Sequence, residues 1–222
     1  MRKIFLLLSA GLLVAALLGP AQADVIDFES GFSNQQSVSD VITATNTVTF
    51  SVGPARTPAY IAQVGLPTTA FVLKDTPADT SVSGSFFLTD EYDGPSATLD
   101  YYLSFATPVS NLSLNLYDYR ALDGGPRVGD RAILTVYDQN HNVVGTDVFT
   151  INTILIPNGN VVLLSVQDPT AAIWLASLEF SRGDVGTGID NITFTTVPLP
   201  PALLLMGAGL GLLALRKRRP NG

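Results

Sequence analysis

The chain of 222 residues has no cysteine, one histidine and one tryptophan. Without thiols there is no disulfide to staple the fold, no cysteine nucleophile and no thiolate metal site. The lone histidine, His141, lies in Asp138-Gln139-Asn140-His141-Asn142, between two strand-like runs. A hydrolytic triad or a zinc site needs a histidine held by partners, whereas Asx-rich residues make good hairpin turns, so a solvated turn is expected there. Asp138, Asn140 and Asn142 have the spacing that opens a calcium loop, but the next glycine is missing and position twelve would be Phe149. Glutamate is scarce: Glu29, Glu91 and Glu179 are all there are. Glycosidase chemistry needs two suitably spaced carboxylates. No E-x-D-x-E-like cluster occurs, and the densest acidic group, Asp90-Glu91-Tyr92-Asp93, reads as a solvated loop. No glycine-rich segment has the strand–loop–helix context of a phosphate loop. These shortages favour a protein that is not an enzyme, while an aspartate-based one stays open.

Positive charge is also scarce, except at the two ends. All nineteen acidic residues lie between residues 24 and 196, with only six of the twelve basic ones, so this segment has a formal net charge of −13. Nucleic-acid phosphates require a basic footprint, so no nucleic-acid partner is expected.

The ends carry membrane signals. Arg2 and Lys3 precede an apolar run from Ile4 to Leu18, a Gly19-Pro20 breaker and the small-residue site Ala21-Gln22-Ala23. That order reads as a signal peptide, residues 1–23, with a helical apolar segment and cleavage before Asp24. At the other end Val197, Pro198, Leu199, Pro200 and Pro201 exclude helix, because proline fixes φ and lacks an N–H. A transmembrane helix is expected over 202–215, followed by the basic cluster Arg216, Lys217, Arg218 and Arg219. Its fourteen residues fall short of the roughly twenty that span a bilayer, although snorkelling arginines extend it. The cluster should remain cytoplasmic, leaving residues 24–196 outside.

A Pro-x-Pro motif, a short apolar helix and a terminal arginine-rich cluster, in that order over residues 197–222, resemble the PEP-CTERM sorting signals, in the variant that reads Val-Pro-Leu-Pro. Pro201 stands where that variant usually has alanine. The resemblance implies an exosortase-type membrane protease as partner, anchoring through the tail and later release to the cell surface or extracellular matrix. It also implies association with exopolysaccharide or biofilm.

Between the signals, Thr-, Val- and Ser-rich runs alternate with turn residues and no segment keeps a helical period. Strands are expected at 25–28, 47–52, 84–88, 99–105, 111–119, 132–137, 143–151, 160–166, 173–180 and 189–195. Ten short strands imply an all-β fold, an antiparallel β-sandwich of jelly-roll form. Ile26-Asp27-Phe28-Glu29, the run from Phe105 to Leu112, and Gly188-Ile189-Asp190-Asn191-Ile192 resemble pieces of galactose-binding-like and carbohydrate-binding-module jelly rolls.

Two sites follow as expectations. Jelly rolls of the type resembled often carry a structural calcium near their termini, and Glu29, Asp190 and Asp27 place carboxylates at both ends of the domain; on a strand, Asp27 and Glu29 would share a face. Surface carboxylates, with Asp190 as a turn or hydrogen-bond acceptor, are the plainer reading. In the run 111–119, Leu112, Leu114 and Leu116 share one face, while Asn115, Tyr117 and Tyr119 share the other and would suit a sugar ring. An ordinary solvated or inter-sheet face is the alternative. Trp174, flanked by Ile173 and Leu175, is expected in the core. The function implied is that of an exported, non-enzymatic, glycan-binding surface protein; an extracellular polysaccharide hydrolase or lyase is the alternative.

Overall fold

A computed structural model describes residues 22–64, 84–90, 100–119, 127–153, 160–167, 173–182 and 187–196. The signal peptide up to Ala21, the tail 197–222, the acidic residues Glu91 and Asp93, and the turns at 94–95, 123–126 and 157–159 lie outside them. Gln22–Thr196 forms a compact unit by itself. Among the described residues no helix is long and apolar enough to cross a membrane.

The unit is all-β, and every strand pair is antiparallel. Its strands are β1 (Gln22–Ile26), β2 (Ser37–Val38), β3 (Asp40–Ile42), β4 (Thr47–Val52), β5 (Ala59–Gln63) and β6 (Phe86–Thr89). The long β7 (Tyr101–Tyr117) follows, then β8 (Arg131–Tyr137), β9 (Val143–Thr150), β10 (Val161–Gln167), β11 (Ile173–Phe180) and β12 (Gly188–Thr196).

The organising element is β7. Its first half, Tyr101 to Phe105, is flanked by β4 and β11, and β11 leads on to β8 and β9. Its second half is flanked by β10 and β12, and β12 leads on to β6, β5, β2 and β1. One strand therefore belongs to two sheet sections, which enclose a single core between them as a sandwich. Phe50, Leu103, Leu134 and Leu178 from the first section share one buried cluster with Leu114, Leu116, Ile189 and Phe194 from the second. In β4 and β8 buried positions alternate with half-exposed or exposed ones, as a sheet with one face inward requires.

The sequence reading breaks this strand in two at Thr107-Pro108. Both residues fall where β7 changes neighbours, between pairing to β4 at Phe105 and to β12 at Val109. A proline costs no ladder bond where no partner waits for its N–H. Asn46 spans the gap, its side-chain amide donating to Thr107 O at 2.8 Å and accepting from Thr107 N at 3.1 Å. The strands β2 and β3 escape a reading based on strand-length runs, having only two and three residues, and the five-residue β5 is not among the expected strands either.

Candidate functional site

Two regions collect chemically active side chains. The first lies around Asp190, near the ends of the domain. Asn191 adopts a positive φ of 47°, and the β12–β7 register shifts between Asp190 and Thr193. This bulge sets Asp190 opposite Asn115, on the face that also carries Tyr117 opposite Gly188. The expected metal ligand and two of the expected glycan ligands thus share one sheet face.

Asp190 is fully buried, and among the described residues neither carboxylate oxygen has a hydrogen-bond partner. Burial pushes its pKa up to about 8; the nearby Asn191 amide offsets part of the rise without reaching hydrogen-bond geometry, and Glu29 and Asp27 add to it by repulsion. The Tyr117 hydroxyl is also buried without a partner and is also raised, by burial first and then by Asp190 and Glu29. An orphaned buried carboxylate is costly unless a proton or cation neutralises it.

Asp27 and Glu29 do not share a strand face, because β1 ends at Ile26. Phe28 takes a left-handed φ of 54°, which buries its ring against Phe32 and Phe50. Asp27 turns back to accept the Glu29 amide at 3.2 Å, and Glu29 Oε1 accepts the Ser85 and Phe86 amides at 2.7 and 3.1 Å. Gly84, at φ +92°, leaves room for Glu29 that a Cβ would fill. The donor set is all oxygen, which suits a hard cation such as calcium. Among the described residues, however, no three His, Cys, Asp or Glu side chains stand grouped for a metal. Asp190 fits a cation; Glu29 fits one only by releasing backbone amides.

The expected glycan face is not open. Tyr117 is 2% exposed and packs against Phe87 at 6.0 Å. Asp118 takes a φ of 51°, which breaks the two-residue alternation and turns Tyr119 into the main core. There Tyr119 contacts Phe149 and Phe180 and donates or shares its hydroxyl with the carbonyls of Arg131 and Arg182. Neither ring presents a face to a ligand, and Asn115 is half-buried beside Asp190.

The second region is a trough of about 530 Å³ on the outer face of the first sheet section. Its floor is read directly from the register. Thr49, Ser104, Leu175 and Tyr137 stand side by side across β4, β7, β11 and β8, and next to them run Ser51, Tyr102 and Ser177. The tight turn after β4 closes with Arg56 N donating to Gly53 O and sets the Arg56 guanidinium 3.0 Å from the centre of the Tyr102 ring. Across the trough Tyr137 shares a hydrogen bond with Ser177 Oγ at 3.1 Å, and Ser177 donates to Glu179 Oε1 at 3.0 Å. Burial and the nearby Asp100 raise the Tyr102 hydroxyl, keeping it a neutral donor. His141 is an exposed turn residue, as expected, and also lines this trough. Asp138 accepts the amides of Asn140 and Asn142 and the Asn142 side chain, which are hairpin-turn bonds. Trp174 is half-buried rather than fully in the core.

The trough escaped the sequence reading because its side chains come from four strands and two turns far apart in the chain. Which strands adjoin β4 and β11 is not a local property of the sequence.

No protein-family model matches the chain, and no curated protein matches it. Solved structures do. The K2 cleaved adhesin domain of Lys-gingipain is similar at 15% identity and a TM-score of 0.46, over 79% of this chain and 98% of that one. The K3 adhesin domain of the same protein from Porphyromonas gingivalis is similar at 13% identity and a TM-score of 0.34, over 79% and 100%. The CBM22-1–GH10 modules of a Clostridium thermocellum endo-1,4-β-D-xylanase, complexed with xylohexaose, are similar at 10% identity and a TM-score of 0.33. That match covers 74% of this chain and 29% of that one.

Proposed function

We propose that this chain is an exported, non-enzymatic surface protein whose jelly-roll domain holds glycan in the extracellular matrix. The observation that carries the reading is the trough, an open sheet face lined by hydroxyls, two tyrosines and a stacked guanidinium. Mixed polar and aromatic lining of this kind suits sugar rings, which offer C–H faces and hydroxyl edges together. Among the described lining residues Glu179 is the one carboxylate, which favours binding over two-carboxylate hydrolysis. Incubating the full chain with a glycan panel tests the reading. Retention without new reducing ends supports it; new reducing ends would make the protein a hydrolase or lyase.

Delivery belongs to the same proposal. Residues 1–23 direct export, residues 197–222 hold the chain at the membrane, and an exosortase-type protease acts at Val197-Pro198-Leu199-Pro200 before release to the surface or matrix. The order of motif, apolar stretch and basic cluster supports it. Intact-mass analysis of the exported protein should show a chain beginning at Asp24. Replacing Pro198 and Pro200 by Ala should abolish processing, and unchanged processing would remove the motif from the scheme.

Calcium is proposed as a structural ion at Asp190, which Glu29 and then Asp27 would join only by leaving the backbone amides they now accept. The buried, unpartnered Asp190 carboxylate supports it. Bound there, the ion supplies the positive charge that keeps Asp190 ionised, and Glu29 would hold it by exchanging amide contacts for the cation.

A further inference from the structure

We infer that the trough on the β4–β7–β11–β8 face selects a neutral oligosaccharide, with the Arg56 edge and Tyr137 as its polar anchors; this rests on the glycan-binding reading above.

The floor fixes what fits. Leu175 at its middle, between Ser104 and Tyr137, offers an apolar patch on which a C–H face can rest. Around it the polar groups come from several strands: Thr49 and Ser51 on one side, Tyr137 and Glu179 on the other, with the buried Ser177 hydroxyl between the last two. A ligand that satisfies this lining needs hydroxyls on several edges and an apolar face, which a pyranose chain provides.

Arg56 adds selectivity. Its guanidinium lies over Tyr102, so that ring face is taken and the ligand meets the guanidinium N–H donors. A planar fork of donors can bind two adjacent hydroxyls, or a carboxylate. Charge decides between them. Glu179 and Asp100 both act on the Tyr102 and Arg56 neighbourhood, and the domain as a whole carries nineteen acidic residues against six basic ones. A chain of uronates would approach a strongly negative surface with one arginine to meet it, whereas a neutral chain carries no such penalty. The Tyr137–Ser177–Glu179 hydrogen-bond row holds the opposite wall in place.

The test is retention of the full chain, purified in detergent, on immobilised neutral oligosaccharides and on polyuronate. Wild type should bind the neutral set. Arg56→Ala and Tyr137→Ala should each weaken that binding at least tenfold, and Arg56→Lys, which keeps the charge but loses the planar fork, should also weaken it. Arg56 is exposed, so its variants should fold, and an unchanged melting temperature checks this. Neutral-glycan binding that all three variants leave intact would overturn the site assignment while leaving glycan binding itself in place. Binding to polyuronate alone would overturn the ligand class. No retention on either support would overturn the glycan-binding reading and this inference with it.

Discussion

Asp190 shows how one residue can set the pH response of the domain. Its pKa rises to about 8 on folding, from an unfolded value of roughly 3.9. Between those values the folded chain keeps a proton that the unfolded chain gives up. In the absence of an ion, the contribution of Asp190 to stability is therefore greatest below about pH 4 and is lost as pH rises towards 8. An ion that binds only the folded, ionised form reverses that loss. At a hundredfold excess over its Kd it would add about 2.7 kcal/mol, or roughly 5–10 °C in melting temperature. Thermal melts should show a larger calcium shift at pH 8 than at pH 5, and Asp190→Asn should abolish it. A shift equal at both pH values would separate the ion from this carboxylate. Gly84 gives a second check: Gly84→Ala places a Cβ against Glu29 at a φ of +92° and should destabilise the domain by about 1–3 kcal/mol in urea unfolding.

Among the elements, β7 divides what was legible from what was not. Leu112, Leu114 and Leu116 alternate as read and are fully buried. The opposite face is covered rather than open to a ligand, as the inter-sheet alternative has it, for two physical reasons. Tyr117 is covered by Phe87 from β6, a contact between residues thirty positions apart in the chain. Tyr119 lies beyond Asp118, whose left-handed backbone no alternation rule anticipates. In the same way β1 stops at Ile26 and Phe28 turns left-handed, so Asp27 and Glu29 are not aligned on one strand face. The switch of partners along β7 depends on Asn46, whose amide stands in for a missing strand neighbour at Thr107. Asn46 is 6% exposed, so Asn46→Ala leaves the Thr107 N–H and C=O without their partner and should cost about 1–3 kcal/mol. A loss below about 0.5 kcal/mol in equilibrium unfolding would show that the ladder closes without it.

At the scale of the whole molecule, strand composition and turn residues sufficed for an all-β antiparallel fold, because period-two burial is a local property. Sheet order is not local, and the trough exists only because β4, β7, β11 and β8 lie side by side. The function proposed for the domain therefore rests on a surface that the sequence could not display. The most direct test is to titrate the protein with a neutral oligosaccharide and follow amide resonances by NMR. Binding at the trough should shift Ser51, Tyr102, Tyr137 and Ser177 while leaving Asn115 and Tyr117 in place; shifts confined to Asn115 and Tyr117 would contradict it.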